Sequence, residues 1–295
     1  MSDRILLTGG TGFVGRAVLM KLLDQGHEVV ATCRAEPSFE HPRLRWHVID
    51  LLKADNAAFK AMFKGVTHNI HAAWYTNHAD YLVHSVNREW AAASRRLADA
   101  FWAAGGRRFV ALGTCIEYDL GAGGLCAEGI TPLAPDTLYG RSKLQLYRDL
   151  KMHGGEFAWP RIFFVYGPGD RPGRFIPALL ESFSRGQAME PRFGGLRRDY
   201  VHVDDLADQI ARIAIGGVYG AINTGTGEAP TLGEIARMAA GLFGHAKLAH
   251  ANDKTGTQPP LIAADLTRFR REVGEPEKRS IHDGLASMIN NGGEG

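Results

Sequence analysis

Short runs of apolar residues alternate with longer amphipathic stretches through the first half of the chain. This alternation indicates βαβ units, in which helices connect buried parallel strands. The apolar runs predict strands at Arg4–Leu7, Glu28–Thr32, Leu44–Val48, His68–His71, Arg108–Leu112 and Trp159–Phe164. The stretches between them predict helices near Gly12–Gln25, Asn56–Phe63, Asp80–Ala104 and Leu138–Met152. Leu97, Phe101 and Ala104 follow a helical repeat and are expected to face the core.

The composition of the sequence changes after Tyr166, where a stretch rich in glycine and proline predicts a loop. Beyond the loop, helices are predicted at Phe175–Arg185, near Asp265–Val273 and near Ile281–Asn290, and Thr231 with Glu234 forms a capping box that opens another. We expect an α/β fold: a doubly wound parallel sheet of six or seven strands with a smaller, mostly helical C-terminal lobe. The expected nucleotide domain is 1–165 with a return segment at about 199–225, and 166–198 with 226–295 form the substrate-binding lobe.

Composition and charge exclude several classes of protein. The net charge of +2 is too small to indicate a nucleic-acid or membrane partner. Three cysteines without metal-ligand spacing predict neither a disulfide framework nor a metal site. The first residues lack the pattern of a secretion signal, and no apolar run reaches membrane-spanning length. A cytoplasmic location is therefore expected.

A glycine-rich turn follows the first predicted strand and opens the first helix, reading Gly9-Gly10-Thr11-Gly12-Phe13-Val14-Gly15. Such a turn holds a dinucleotide pyrophosphate on backbone N–H groups at the start of a helix. Gly9 permits the tight turn, Gly12 permits close approach of the phosphates, and Gly15 permits the helix to pack closely. The turn predicts a Rossmann-like domain with a bound nicotinamide dinucleotide.

Tyr139 and Lys143 are four residues apart on a predicted helix, so both side chains face the same way. An isolated phenol has a pKa of about 10 and is a poor acid or base at neutral pH. A nearby ammonium group stabilises the phenolate and lowers this pKa. Thr114 follows a predicted strand and is placed to hydrogen-bond the same substrate oxygen. We predict that Thr114, Tyr139 and Lys143 are catalytic.

Together these motifs resemble the extended short-chain dehydrogenase/reductase family, whose members include nucleotide-sugar epimerases, dehydratases and reductases. The resemblance extends over essentially the whole chain. It implies that Lys143 also holds the cofactor ribose and that Asn87 is a structural residue near the active site. It further implies cofactor contacts at Asp50, Leu51, His71, Ala72 and Ala73, and substrate contacts at Thr114, Cys115, Tyr139, Arg174 and Arg198, with Arg198 on the diphosphate.

The departures from the family pattern narrow the expected chemistry. Family dehydratases carry an Asp-Glu pair directly after the catalytic threonine, where this chain has Cys115 and Ile116. Isoleucine transfers no proton, so dehydration is not expected. Epimerases that act at two carbons need a cysteine at the position of Ile116. Phe164 stands where many relatives have an asparagine that touches the diphosphate, which puts the usual nucleotide contact in doubt.

The end of the second strand decides the cofactor, because an acidic residue there would bind the ribose hydroxyls and repel a 2′-phosphate. No carboxylate occurs before Glu36, and Arg34 is placed to pair with a 2′-phosphate. Arg34 stacked on adenine would instead suit either cofactor. We favour NADP(H), and NAD(H) stays possible.

The first hypothesis is an NAD(P)-dependent oxidoreductase that reduces a keto group of a nucleotide sugar, of the 4-ketoreductase type. The pair Glu117-Tyr118 after Cys115 resembles a pattern in several sugar ketoreductases. The alternative is a nucleotide-sugar 4-epimerase with tightly bound NAD. A non-catalytic NAD(P)-sensing regulator is disfavoured, because such proteins commonly lose the Tyr-Lys pair. By analogy with relatives, two copies are expected to form a homodimer through the helices Asp80–Ala104 and Leu138–Met152.

Overall fold

A computed structural model describes residues 3–35, 37–250 and 252–290. Glu36, which enters the cofactor prediction, lies outside the described residues. The strands of the described part are β1 Arg4–Thr8, β2 Glu28–Cys33, β3 Leu44–Val48, β4 His68–His71, β5 Arg108–Ala111, β6 Gly113–Thr114, β7 Gly124–Cys126, β8 Phe157–Ile162, β9 Phe164–Tyr166, β10 Arg197–Arg198, β11 Tyr200–His202, β12 Gly220–Thr224 and β13 Leu261–Ala264. The helices are α1 Phe13–Asp24, α2 Asn56–Met62, α3 Val86–Ala103, α4 Leu138–His153, α5 Phe175–Ser184, α6 Val203–Ile215, α7 Leu232–Leu242, α8 Thr267–Glu272 and α9 Ile281–Asn290.

The main sheet is parallel, with the strand order β3–β2–β1–β4–β5–β8–β12 and β6 also paired to β8. The order reverses between β1 and β4, so the connections from these two strands leave to opposite sides. A crevice therefore opens beyond their carboxyl ends, which is where ligands bind in open α/β sheets. The predicted Rossmann-like, doubly wound sheet is confirmed.

Helices cover both faces of this sheet. Val18 of α1 and Ile210 of α6 are fully buried against one face. Phe59 of α2, Leu97 of α3 and Leu146 of α4 fill the core on the other face. Because parallel strands are buried on both sides, they read in the sequence as continuous apolar runs.

A separate core joins α5, α7 and α9 around buried apolar side chains such as Leu179, Ile235 and Leu285. The capping box at Thr231 and Glu234 opens α7 as predicted. β10 and β13 of the second half form a small parallel sheet with β7 from the first half of the chain, which the prediction of a mostly helical lobe did not include. The chain returns to the main sheet with β12. On these observations we keep the two-part division of the chain as a proposal.

The sequence prediction started helix α3 too early, at Asp80. Its first turn is at Val86, not Asp80, because residues before it form turns with Asn77 and Asp80. The Asn87 amide donates to the carbonyl oxygens of Tyr81 and His84 and so satisfies groups that a longer helix would have used. At the other end, Ala104 caps the helix and is exposed, so its predicted place in the core is wrong.

The predicted strand Trp159–Phe164 is two strands in the structure. β8 ends at Ile162 in the main sheet, and β9 begins at Phe164 and pairs with β11 in a separate two-stranded sheet. Exposed charged side chains occur along α3 and α4 (Arg88, Glu89, Arg141 and Arg148). The homodimer through these helices stays a prediction.

Candidate active site

The glycine turn after β1 is shaped by close contacts that only glycine permits. Gly9 has φ of +74°, in the left-handed region that favours glycine. A Cβ added at Gly9 would lie 2.7 Å from the Ala73 amide nitrogen, and one added at Gly15 would overlap the Gly9 carbonyl oxygen. The turn therefore packs against the segment after β4 and against the first turn of α1.

The turn also fits a phosphate group. The N–H groups in the first turn of α1, at Phe13 and Val14, have no acceptor within their own helix by its geometry, and the helix dipole is positive at this end. Gly12 N–H donates to Gly9 O at 2.9 Å, and Gly9 N–H donates to Thr32 Oγ1 at 3.3 Å. These bonds fix the turn, so the residues present fit the pyrophosphate of a dinucleotide.

The other predicted cofactor residues lie at the same edge of the sheet. Arg34 is exposed directly after β2, and Asp50 follows β3, which is the neighbour of β2. Asp50 accepts a hydrogen bond from Leu52 N–H at 3.1 Å, and Leu51 is buried. The structure thus brings these residues to the edge that carries the glycine turn, and their contacts with a cofactor stay predictions.

The His71 side chain is held inside the protein. Its Nδ1 is 2.7 Å from Thr8 Oγ1 and its Nε2 is 2.7 Å from Ser94 Oγ. Burial lowers the pKa of His71 to about 3, so the ring is neutral. The His71 ring is thus occupied by these two hydroxyl groups. Ala72 and Ala73 lie beside Gly9, and the cofactor contacts of all three residues stay predictions.

Thr114, Tyr139 and Lys143 come together where α4 meets the end of β6. Thr137 caps α4 by accepting a hydrogen bond from Gly140 N–H at 3.0 Å, which places Tyr139 in the first turn. A Cβ added at Gly140 would lie 2.8 Å from the Ile116 carbonyl oxygen, so only glycine lets the helix come this close to the turn after Thr114. Thr114 and Lys143 are both buried.

Burial has the largest effect on the pKa values of Tyr139 and Lys143. It raises the pKa of Tyr139, and the nearby Tyr81 and Glu117 raise this pKa further. Hydrogen bonding to the Thr114 side chain lowers the pKa of Tyr139. Burial lowers the pKa of Lys143 to about 7, against the opposing charge of Glu117. Tyr139 is therefore a neutral phenol that can donate a proton, beside an amine whose charge depends on its surroundings.

Neither residue after Thr114 is suited to move a proton. Cys115 is 3% exposed within the apolar core, and burial raises the pKa of its thiol. Ile116 is half-buried and has no titratable group. The substrate contact that the resemblance implies for Cys115 stays a prediction.

The turn after Thr114 is supported by a polar network that sequence reasoning missed. Glu117 Oε1 accepts hydrogen bonds from Thr114 N–H and from Trp159 Nε1, both at 2.9 Å. Arg161 Nε donates to Glu117 Oε2 at 2.9 Å. The pair Glu117-Tyr118 was visible in the sequence, but its partner Arg161 lies 44 residues away, and no local pattern connects them.

A second missed residue, Tyr81, packs edge to face against Tyr139 with ring centres 5.1 Å apart. The sequence prediction placed Tyr81 in the helix that begins at Asp80, so its contact with Tyr139 was not expected. Burial raises the pKa of Tyr81, and the charge of Arg174 opposes this. Tyr81 thus lies between the catalytic candidates and one of the arginines predicted to bind substrate.

The two arginines predicted to bind substrate are fixed in different ways. Arg174 pairs with Asp170 at 3.1 Å. Arg198 is 5% exposed and donates to the carbonyl oxygens of Arg197 and Pro259, at 2.9 and 3.0 Å, and to Gln258 Oε1 at 3.3 Å. Within residues 3–35, 37–250 and 252–290 no carboxylate pairs with Arg198. The hydrogen-bond acceptors of its buried guanidinium in this part of the chain are therefore neutral oxygens.

Aromatic rings line the wall beside these arginines. The Phe164 and Tyr200 rings are 5.6 Å apart, and the Arg198 guanidinium lies 5.9 Å from the centre of the Phe164 ring. Burial raises the pKa of Tyr200 to about 12, while Arg174 and Arg198 lower it. Phe164 thus gives the wall an apolar face where an amide was expected from the family pattern.

In the described part of the chain, no group of three or more histidine, cysteine or acidic side chains is arranged to hold a metal ion. Among the described helices, none has the length and apolar character needed to cross a membrane.

Comparison with known proteins identifies relatives for almost the whole chain. Residues 5–223 match the sequence profile described as the NAD dependent epimerase/dehydratase family. The dTDP-6-deoxy-L-talose 4-dehydrogenase (NAD(P)(+)) of Kitasatospora kifunensis is 27% identical, over 97% of this chain and 94% of that protein. The dTDP-glucose 4,6-dehydratase of Streptomyces griseus is 26% identical over 98% and 94%. The UDP-glucose 4-epimerase of Azospirillum brasilense is 26% identical over 96% and 90%.

The solved structure of MoeE5 in complex with UDP-glucose and NAD superposes on this chain with a TM-score of 0.82. The two sequences are 26% identical, and the match covers 99% of this chain and 98% of the other. The names of the relatives state different reactions, so the side chains of the site have to distinguish reduction, epimerisation and dehydration.

Proposed function

The chain belongs to the NAD-dependent epimerase/dehydratase family, and from this premise we propose that it reduces a keto group at carbon 4 of a nucleotide sugar with a nicotinamide cofactor. The relatives are NAD-dependent enzymes that modify nucleotide sugars, and the dehydrogenase from Kitasatospora kifunensis acts, by its name, at position 4. The side chains of the site have to support the choice of reduction over the other reactions of the family.

The observation that carries the proposal is the pair that follows Thr114. Dehydration needs one group that removes a carbon-bound proton and another that protonates the departing hydroxyl. Cys115 is buried with a raised thiol pKa, and Ile116 has no titratable group. What remains is Thr114, Tyr139 and Lys143, which suffice for hydride chemistry at one carbon.

In the proposed reaction Thr114, Tyr139 and Lys143 have separate tasks. A nicotinamide dinucleotide, held at the glycine turn and by Lys143, would supply the hydride to the carbonyl carbon. The Tyr139 hydroxyl donates its proton to the carbonyl oxygen, which becomes the alcohol, and the tyrosine is then reprotonated from solvent. Thr114 holds the same oxygen. The Lys143 ammonium stabilises the phenolate that Tyr139 becomes and binds the ribose. General acid catalysis of this kind contributes about 10²–10⁴-fold to the rate.

The substrate would lie against the wall formed by Arg174, Arg198, Phe164 and Tyr200. The guanidinium of Arg198 lacks a carboxylate partner in the described part of the chain, which suits a diphosphate. Phe164 supplies an apolar ring instead of an amide, so we propose that the diphosphate relies on the arginines.

For the cofactor we propose NADP(H), with NAD(H) as the alternative. Support comes from Arg34, which is exposed at the end of β2 and available to a 2′-phosphate. A cytoplasmic location and a homodimer belong to the same proposal.

A 4-epimerase with tightly bound NAD is the second candidate. The UDP-glucose 4-epimerase of Azospirillum brasilense is about as similar to this chain as the dehydrogenase is. With tightly bound NAD as the hydride acceptor and then the hydride donor, the same three residues would assist oxidation of the alcohol and reduction of the resulting ketone on its other face.

The decisive experiment follows NADPH and NADH oxidation against a panel of 4-keto nucleotide sugars, with mass spectrometry of the products. A reductase consumes cofactor in step with substrate, and its product gains two hydrogens. An epimerase, tested on the corresponding 4-hydroxyl sugars, leaves both the absorbance and the mass unchanged. Loss of water from a 4-hydroxyl nucleotide sugar would overturn the interpretation of Cys115 and Ile116.

A further inference from the structure

Trp74 makes a direct contact with the candidate catalytic lysine. It follows Ala73 in the segment after β4, and the Lys143 Nζ lies over its indole ring, 3.8 Å from the ring centre. The same ring meets Tyr139 edge to face, with centres 6.4 Å apart and planes at 82°. One side chain therefore contacts both members of the Tyr-Lys pair.

The indole is held in place from α3. Its Nε1 donates to Asn87 Oδ1 at 2.8 Å, and its ring stacks on Trp90 with centres 6.1 Å apart. Asn87 is fully buried and is itself fixed, because its amide donates to the carbonyl oxygens of Tyr81 and His84. The position of Trp74 is thus determined by helix α3 and does not depend on Lys143.

Lys143 has little else to compensate its charge. It is 4% exposed, and its Nζ donates to the Leu112 carbonyl oxygen at 2.7 Å. None of the carboxylates in the described ranges forms an ion pair with it. The face of an indole attracts an ammonium group, most strongly when both are shielded from water. The stacked arrangement therefore supplies a fixed, electron-rich surface for a cation that water does not reach.

We propose that Trp74 is a positioning residue that keeps the Lys143 side chain charged and fixed beside Tyr139. The inference rests on the proposed function in one respect, that the charge of Lys143 acts on Tyr139. It adds that the tryptophan after the cofactor-lining segment governs this charge through its ring face and serves as more than packing.

The other titratable groups that face Lys143 act separately from Trp74. Glu117 favours the charged lysine from the turn after Thr114. His71, on β4, interacts with Lys143 and is held neutral by burial. Tyr139 lies one turn earlier on the same helix, with its ring centre 5.9 Å from Nζ. A change at Trp74 removes none of these three groups, and Trp74→Phe also keeps an aromatic contact with Tyr139.

The test measures the protonation of Lys143 directly, without substrate. Protein labelled with ¹³C at lysine Cε is titrated by NMR, and the Lys143 signal is assigned by its absence in Lys143→Met. Trp74→Leu removes the aromatic face, and the protonation constant of Lys143 should fall about tenfold, so that its pKa decreases. Trp74→Phe keeps a weaker aromatic face and should give a smaller decrease. Trp90→Leu is the matched control: it removes the ring that stacks on Trp74 but keeps the indole and its hydrogen bond to Asn87, so it should change the titration less than Trp74→Leu does.

Equal titration curves for wild type, Trp74→Leu and Trp90→Leu would overturn the proposal. If Trp74→Leu fails to fold, biosynthetic replacement of tryptophan by fluorotryptophans decides the question, because fluorine withdraws electron density from the ring with little change in shape. The Lys143 pKa should then decrease stepwise with the number of fluorine atoms, and a constant pKa would contradict the role of the ring.

Activity gives a second readout that separates this inference from the proposed function. In the keto-sugar assay, the loss of kcat/KM with rising pH should begin at a lower pH in Trp74→Leu than in Trp90→Leu. If neither the wild type nor any variant reduces a keto sugar, the proposed function fails. The NMR titration still decides the role of Trp74 in that case.

Discussion

Glu117 and Arg161 form an ion pair of 2.9 Å whose two side chains are 0% and 2% exposed. The pair lies beneath the turn that carries Thr114, and the same carboxylate accepts the Thr114 N–H. Interaction with Glu117 raises the pKa of the Arg161 guanidinium despite its burial, so the arginine is charged. The position of a candidate catalytic residue thus depends on a charge pair that is buried in the core.

Glu117→Gln should destabilise the protein strongly. The neutral side chain of the new glutamine cannot balance the charge of Arg161. Its NH₂ group would also point a donor at the N–H donors of Trp159 and Arg161. Breaking a buried pair on one side costs about 3–5 kcal/mol. Urea denaturation measures the loss. Glu181→Gln, which removes an exposed pair with Arg185, is the control and should cost less than about 0.5 kcal/mol. Equal effects of the two changes would show that the buried pair does not stabilise the turn.

Tyr139→Phe should lower turnover about 10²-fold or more, because it removes the proposed proton donor and keeps the ring. Cofactor affinity should change little, since the ring still packs against Trp74 and Tyr81. Steady-state kinetics and cofactor titration measure the two effects. Tyr147→Phe, on the same helix, is the control and should retain activity. Turnover close to that of the wild type in Tyr139→Phe would refute the assignment.

Lys143→Met should stabilise the protein near neutral pH and abolish activity. The pKa of Lys143 is about 7 in the folded protein and about 10.4 for an unperturbed lysine. Between these values the unfolded chain binds more protons, so the stability of the wild type rises with pH. The advantage of methionine, of the order of 1–3 kcal/mol below pH 7, should therefore shrink as the pH approaches 10. Chemical denaturation at pH 6 and pH 10 tests this.

The control for this prediction is Lys151→Met, on the exposed face of the same helix. It should not change the pH dependence of stability. A Lys143→Met variant with the same pH dependence as the wild type would mean that Lys143 titrates normally in the folded protein.

Arg34→Asp should shift cofactor preference from NADPH toward NADH, because a carboxylate at the end of β2 binds ribose hydroxyls and repels a 2′-phosphate. The ratio of kcat/KM for the two cofactors is the measurement. Arg43→Asp, also exposed, controls for the change in net charge. A wild-type enzyme that already prefers NADH strongly would show that Arg34 does not select the 2′-phosphate of NADPH.

The sequence alone determined the features that depend on near neighbours in the chain. Apolar runs placed strands β1 to β5 and β8 of the main sheet, although not β12. The glycine spacing placed the turn after β1, because only glycine fits its φ and close contacts. Tyr139 and Lys143 were recognisable because a helix brings positions i and i+4 to one face. These features together specify the fold class and suggest hydride chemistry.

Only the tertiary structure decided how distant segments meet. The enclosed and neutral ring of His71, the pairing of Glu117 with Arg161, and the contact of Lys143 with Trp74 all join residues that no local pattern connects. The physical reason is that a spacing rule describes one element at a time. The charge of a buried group is set by whichever side chains the packed core places against it.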